Sequence, residues 1–331
     1  MDDRGGPFLL EARDLRVGFK RGGMAADAVC GIDLTVAAGE VVGVVGESGS
    51  GKSISVLAMM DLLPSSAVVS GSVKFRGQEI LGSPPKTMQR LRGSKMSMIF
   101  QDPLTAFNPV LTVGEQIVEA LRLHQAGLSR KIAWEQAVAL LADVAIPQPD
   151  RRARQYPHEF SGGMRQRAMI AMAIANKPDL LIADEPTTAL DVTVQAQIID
   201  LLQKLREQLD IGLILITHDL GVVAGTADKI AVMYSGRIVE RGKVDDVFHG
   251  SRHPYTRGLL AALPKLDGER APLVGIEGTP PPLHDRPPGC SFSPRCRHAV
   301  ERCRVEVPVL RQVGAVESAC HRAEALPELA P

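Results

Sequence analysis

This 331-residue chain has no charge to spare. Lys plus Arg and Asp plus Glu both number 38, so the formal net charge is zero. That balance gives no support to a nucleic-acid partner or to attraction by an anionic membrane face, both of which draw on a basic surplus. No apolar run approaches the roughly 20 residues that span a bilayer, and Met1 to Gly6 lacks the basic-then-apolar layout of a signal peptide. These absences predict a cytosolic chain that works through a specific partner. Cysteine is sparse: Cys30 stands alone, and Cys290, Cys296, Cys303 and Cys320 crowd the tail. In a reducing compartment clustered thiols are poor disulfide candidates and better metal candidates. The length is ample for one large α/β domain plus an appendage, or for two domains, without staples.

The most informative run is Gly46-Glu47-Ser48-Gly49-Ser50-Gly51-Lys52-Ser53, placed after the apolar Val41 to Val45 and before a helix-compatible stretch, Ile54 to Leu63. That is the strand, glycine-rich loop, helix order of a phosphate-cradling P-loop. Gly46, Gly49 and Gly51 admit backbone angles closed to other residues, so successive N–H groups, Ser48 and Ser50 included, can converge on a phosphate. Lys52 supplies a cation and Ser53 a hydroxyl ligand for Mg²⁺. The following helix aims its positive end at the same anion.

Leu9 to Val17, Ile32 to Val36 and Val41 to Val45 read as strands joined by turns such as Arg21-Gly22-Gly23, an antiparallel region leading into the nucleotide core. Val73 to Phe75 and Met98 to Phe100 resemble two more. From Val113 to Val144 the period turns helical, with Val113, Ile117, Ala120, Leu121, Ile132, Ala137, Leu140 and Leu141 at three- and four-residue steps. Leu180 to Ala183 and Leu213 to Ile216 lack alternation, as strands buried on both faces do. The helix between them, Val194 to Leu209, carries Ala196, Ile199, Leu202 and Leu205 on one face, so the three elements predict a parallel sheet. Past His249 the texture changes, and Pro272, Pro280, Pro281, Pro282, Pro287 and Pro288 break regular structure.

Hydrolysis needs more than a phosphate cradle. Asp184 and Glu185 emerge at the carboxyl end of a buried strand, where open α/β sheets bind ligands. Asp184 suits Mg²⁺ through its water shell, and Glu185 suits polarising an attacking water; an Asp capping the helix that Pro186 opens is the structural alternative. His218, after the second buried run, is placed to meet a γ-phosphate, or it is a satisfied structural histidine. Ser161, Gly162 and Gly163 open the helix-compatible Met164 to Ala175, either as a second anion-binding end or as an ordinary cap.

In this order the residues resemble the ATP-binding subunit of ABC transporters. Gly46 to Ser53 is similar to Walker A, and Gln101 to the Q-loop glutamine. Ser161-Gly162-Gly163-Met164-Arg165-Gln166 is similar to the signature, with Phe160 and Met164 where leucine and glutamine are usual. Leu180 to Glu185 resembles Walker B, Thr188-Ala189-Leu190-Asp191 the D-loop, and His218 the switch histidine. Phe19 is the candidate aromatic for stacking on adenine.

The resemblance implies an α/β P-loop NTPase core over residues 1–250, with an antiparallel β subdomain and an inserted helical subdomain at about 102–175. It implies ATP and Mg²⁺ as ligands, with Ser53, Gln101 and Asp184 around the metal and Gln101, Glu185 and His218 around the reacting water. It also implies a head-to-tail ATP sandwich with a second, nonidentical ABC ATPase, in which Ser161 and Gly163 contact the nucleotide held by the other subunit, with Gly162, Gln166 and Asp191 also among the nucleotide-binding residues. Gln101 would relay closure to two membrane permease subunits. His253-Pro254-Tyr255-Thr256, Gly258-Leu259-Leu260 and the cysteine tail resemble the irregular C-terminal extension, here 251–331, of oligopeptide and dipeptide importer ATPases. The implied role is to power peptide import from the cytoplasmic face of the membrane as a peripheral subunit, indirectly served by an extracytoplasmic solute-binding protein and with no nucleic acid. A nickel complex or glutathione is the alternative cargo. A non-transport ABC ATPase is the more distant alternative, disfavoured by the single cassette, the short span between Walker A and signature, and the neutral charge.

The tail cysteines are separated by five, six and sixteen residues. That spacing lacks a Cys-x-x-Cys knuckle, yet four thiolates satisfy the ligand count of a [4Fe–4S] cluster or of a Cys₄ zinc site. Unligated small core thiols are the third reading.

Overall fold

The computed structural model describes residues 8–21, 24–188, 190–263 and 275–326. Met1 to Gly6, Gly22, Gly23, Ala189 and Pro272, each used in the sequence reading, lie outside them. The chain forms two compact units, Met1–Thr35 with Val41–Leu81 and Thr217–Pro331, and Val36–Glu40 with Gly82–Ile216.

The first unit contains β1 (Leu10–Arg21), β2 (Met24–Val36), β3 (Val41–Val45), α1 (Lys52–Met59), β4 (Ala67–Phe75) and β5 (Gln78–Glu79). Strands β2, β1, β4 and β5 form a sheet in that order, and β1 and β4 pair antiparallel, Leu10 facing Phe75 and Phe19 facing Ala67. This is the expected antiparallel region, with β4 longer than the Val73 to Phe75 the sequence suggested. Pairing against β1 extends β4 back to Ala67, with Ser72 facing Arg13 and Ser70 facing Arg16 across a register shift.

In the second unit, β6 (Met96–Ile99), β7 (Leu180–Asp184) and β8 (Gly212–Thr217) run parallel, Met98 beside Ile182 and Ala183 beside Leu215. Residues of β7 and β8 are buried along their whole length, which is why they read as unbroken apolar runs. This unit also holds α2 (Pro85–Leu91) and, between β6 and β7, only helix: α3 (Pro103–Ala106), α4 (Val113–His124), α5 (Arg130–Asp143), α6 (Pro149–Ala153) and α7 (Gly162–Ile174). The crossover helix α8 spans Val192–Leu209.

Two helical faces differ from the expected ones. On α8 the buried stripe is Ile198, Leu201, Leu202 and Leu205, with Ala196 exposed. On α5 it is Ala133, Ala137 and Leu141, and Ile132 is 48% exposed. Small alanines let α5 approach its neighbours closely, and that rotates the bulkier isoleucine outward.

The first unit resumes with α9 (Leu220–Thr226), β9 (Lys229–Tyr234), β10 (Arg237–Lys243), α10 (Val244–Gly250), α11 (Pro254–Ala261), α12 (Glu301–Val305), β11 (Arg311–Val313) and β12 (Val316–Ser318). The extension is therefore more regular than its prolines suggest: β11 and β12 form a hairpin, and β12 adds antiparallel to β10 through Glu240–Ser318 and Arg241–Glu317. Parallel to β3 on the other side runs β9.

Glu240 is fully buried, and burial raises its carboxyl pKa although Ser251 Oγ donates to Oε2 at 2.7 Å and the Arg252 N–H donates to Oε1. A folded pKa above the unfolded value of about 4.3 means stability present at low pH and lost as pH rises through the folded value. Glu240→Gln is expected to remove that loss, so the unfolding free energy of wild type relative to the variant should fall from pH 4 to pH 7 in parallel denaturant titrations.

Candidate functional site

The P-loop follows β3, whose five residues are all buried. Each loop glycine is required for a reason the structure makes specific. Gly46 has φ +154°, and an added Cβ would lie 2.2 Å from the Met233 carbonyl oxygen. At Gly51, with φ +103°, it would lie 2.8 Å from the Ala28 carbonyl oxygen. Gly49 has open space around it but a φ of +77°, so its demand is backbone conformation alone. Gly51 then caps α1 in the left-handed conformation, so the helix opens directly on Lys52 and Ser53. Lys52 is 5% exposed and donates from Nζ to the carbonyl oxygens of Gly46 at 2.7 Å and Glu47 at 3.2 Å, spanning the loop. Ser48 and Gly49 are exposed, Ser50 is buried, and Ser53 is half-buried.

Asp184 closes β7 at 4% exposure. Glu185 follows with φ +45°, an uncommon conformation for a side-chain-bearing residue. Its carboxylate Oε2 accepts from Gln101 Nε2 at 3.1 Å and from Thr188 Oγ1 at 3.0 Å, while its N–H donates to the Ile216 carbonyl at 2.9 Å. The structure thus brings Gln101, Glu185 and Thr188 together. Strain of this kind persists where surrounding contacts over-determine it, and it concentrates at functional sites. His218 is exposed just past β8, and the next residue, Asp219, caps α9 by accepting from the N–H groups of Gly221 at 2.8 Å and Val222 at 3.3 Å.

Ser161 caps α7, accepting from the Met164 N–H at 3.4 Å, and stays exposed together with Gly162. Gly163 packs under α8: an added Cβ would meet Val194 Cγ1 at 2.9 Å. Gln166 departs from this exposed edge. It is 2% exposed, in the buried face of α7, with no hydrogen-bond partner for Nε2 among the described residues. Asp191 caps α8, accepting from the Val194 N–H at 3.0 Å. Phe19 lies half-buried on β1.

The four tail cysteines line one small cavity together with His253, Phe292 and His298. The Cys290 N–H donates to the Cys303 carbonyl at 2.8 Å, a crossing made close by Gly289, whose added Cβ would lie 2.4 Å from that same oxygen. Burial pushes the Cys290 and Cys320 thiols up to about 11, and raises Cys296. These groups are neutral at pH 7. Among the described residues no three His, Cys, Asp or Glu side chains form a metal-holding group. The convergence expected from the sequence is present, therefore, and a preassembled ligand set is not.

Sequence reasoning used Tyr255 only as part of the family resemblance, and gave no role at the phosphate loop to Tyr255, Arg286 or Arg295 of the extension. The Tyr255 hydroxyl accepts from the Glu47 N–H at 2.8 Å, and Arg295 is paired with the Glu47 carboxylate. A proline-rich segment some two hundred residues away gives no local signal of such contacts.

Against known proteins, the family model described as ABC transporter matches residues 29–188, and the one described as oligopeptide/dipeptide transporter, C-terminal region, matches residues 239–303. The chain is 52% identical over 301 residues to the oligopeptide transport ATP-binding protein OppD of Salmonella typhimurium, covering 91% of this chain and 90% of that protein. To the dipeptide transport ATP-binding protein DppD of Escherichia coli it is 49% identical over 315 residues, 95% of this chain and 96% of that one. Among solved structures it is similar to the ATP-binding cassette MJ0796, captured as a dimer in a post-hydrolysis state with ADP and Pi, at 27% identity and a TM-score of 0.64 over 71% of this chain and 98% of that one.

Proposed function

Because this chain belongs to the ABC transporter family and carries the C-terminal region of its oligopeptide and dipeptide branch, we propose that its ATP hydrolysis drives a di- or oligopeptide importer from the cytoplasmic face of the membrane. It is an ABC-type ATPase. No helix among the described residues is long and apolar enough to cross a membrane, in keeping with separate permease subunits. The observation that carries the catalytic part is Glu185, held at φ +45° with Gln101 and Thr188 on its carboxylate.

In this reading the N–H groups of Gly46 to Ser53 hold the phosphates, and Lys52 turns from the loop carbonyls to the β- and γ-oxygens. Ser53, Gln101 and Asp184 are the residues that would hold Mg²⁺, which would supply positive charge against the negative charge that develops on the phosphates. Glu185 polarises the water for in-line attack, Gln101 keeps that carboxylate aimed, and His218 donates to the γ-phosphate as charge builds. Phe19 stacks on adenine. The exposed Ser161 and Gly162, with half-buried Gly163 and with Asp191 at the start of the helix Gly163 packs against, address ATP held by a second cassette, so turnover opens and closes a dimer. The burial of Gln166 suits support of that helix better than contact with nucleotide.

The peptide reading, rather than a nickel complex or glutathione, rests on relatives named for oligopeptide and dipeptide transport. In the purified membrane assembly, ATP hydrolysis should rise with peptide-loaded binding protein and stay basal with the other two solutes; stimulation by either of those instead would reassign the cargo. As the finer reading of the tail, the four cysteines hold a [4Fe–4S] cluster that braces a loop-rich segment, supported by their place around one cavity. Anaerobic preparations should contain iron and sulfide in a visible charge-transfer band that Cys303→Ser removes. Zinc alone would make it a Cys₄ site, and neither would leave neutral core thiols.

A further inference from the structure

Glu47 is an unusual neighbour for a triphosphate. It is the second residue of the phosphate loop, and an unpaired carboxylate there would repel the ligand the loop is built to hold. The structure gives that charge one dedicated partner. Arg295, whose side chain is 5% exposed, donates from Nη1 and Nη2 to the two Glu47 carboxylate oxygens at 2.7 and 3.0 Å, the planar fork arrangement that is strongest between arginine and carboxylate. The guanidinium is itself fixed: its Nε donates to the Glu277 carbonyl at 2.9 Å, Nη1 reaches the Tyr234 hydroxyl at 3.3 Å, and its carbon lies 5.8 Å from the ring centres of Tyr234 and Phe292. Tyr255, fully buried on α11, takes the Glu47 N–H. Backbone and side chain of one loop residue are thus both held by the extension.

A second arm reaches the far end of the same loop. Arg286 donates from Nε to Ser235 Oγ at 2.9 Å in the β9–β10 turn, and the next residue of that turn, Gly236, donates its N–H to the Ser50 carbonyl at 2.8 Å.

We propose that the C-terminal extension is a clamp on the phosphate loop, with Arg295 as a positioning residue that neutralises Glu47 and turns its carboxylate away from the bound phosphates. The inference rests on the reading above that this loop holds ATP. Arg295 touches no nucleotide in this account; it acts through Glu47. Merely structural support and charge control differ in one respect. If Arg295 only stabilises the fold, removing Glu47 as well cannot repair its loss. If it masks a charge, removing that charge does.

The test is equilibrium binding of ATP to the full chain, with adenosine as a ligand that has no phosphate. Arg295→Ala should weaken ATP binding on the order of tenfold, which corresponds to about 1.4 kcal/mol, and should leave adenosine unchanged. Glu47→Gln added to Arg295→Ala should return ATP affinity to within about threefold of wild type, and high salt should shrink the defect of the single variant. An Arg295→Ala protein within twofold of wild type, or a double variant as weak as the single, overturns the clamp. Should Arg295→Ala fail to fold, Tyr255→Phe removes only the acceptor for the Glu47 N–H. A loss of about threefold in ATP affinity at unchanged kcat supports the clamp, and wild-type affinity rejects it. Lys52→Ala separates the two levels: ATP binding that survives it rejects the loop assignment itself, whereas binding lost there but unmoved across the Arg295 series rejects the clamp alone.

Discussion

Glu185→Gln is expected to lower steady-state phosphate release from ATP by about 10²- to 10⁴-fold, the range that a positioned general base contributes, while ATP affinity stays within a few-fold of wild type. The substitution keeps shape and volume. Glutamine retains an oxygen to accept from Gln101 and Thr188, and it meets φ +45° with the same backbone cost as glutamate. What it loses is the negative charge that polarises water. A defect confined to kcat identifies an interaction made in the transition state, whereas an equal loss in binding would place Glu185 in ground-state recognition. Phosphate release and ATP binding measured on one preparation distinguish these outcomes, and turnover at the wild-type rate contradicts the assignment.

Lys52→Ala should act at the other end of the cycle, on binding. Lys52 is 5% exposed, so its charge is not freely screened by water, and its Nζ lies within 2.7 to 3.2 Å of two loop carbonyls. Loss of a buried charged partner typically costs about 2–5 kcal/mol, so ATP affinity should fall by roughly 30- to several-thousand-fold. The empty loop loses its internal staple as well, and the nucleotide-free protein should unfold at lower denaturant. Lys52→Arg should rescue little, because a planar fork cannot reproduce a compact ammonium in so tight a loop. Calorimetric titration with ATP checks the first point; ATP affinity equal to wild type would show that the cation for the phosphates comes from elsewhere.

How far the sequence discloses this protein depends on the range over which each feature is determined. The P-loop is legible because its requirements are local: Gly46 and Gly51 are demanded by φ and by carbonyls 2.2 and 2.8 Å away, so residue type and spacing survive as a readable string. The two buried strands β7 and β8 are legible because burial on both faces leaves an unbroken apolar signature, and Asp184, Glu185 and His218 follow from strand ends. Helix faces are less legible. On α5 the choice between Ile132 and Ala133 as the inward position depends on how closely neighbouring helices approach, which composition does not encode. The extension is least legible. Strand β12 is three residues long and gains its partner from β10, and Arg295 meets Glu47 across a separation of 248 residues. Such long-range pairing leaves no trace in local periodicity, while proline spacing points toward irregular chain. The cysteines lie between these cases: their clustering in sequence does foretell one cavity, but not whether their side chains are set as ligands.

The most direct measurement counts ATP consumed and labelled peptide accumulated in the same vesicles, reconstituted with the complete membrane assembly carrying either wild-type chain or Glu185→Gln. The account predicts that wild type consumes ATP and accumulates peptide together, and that Glu185→Gln stops both while still binding ATP. Peptide accumulating at the wild-type rate in the Glu185→Gln vesicles would contradict it.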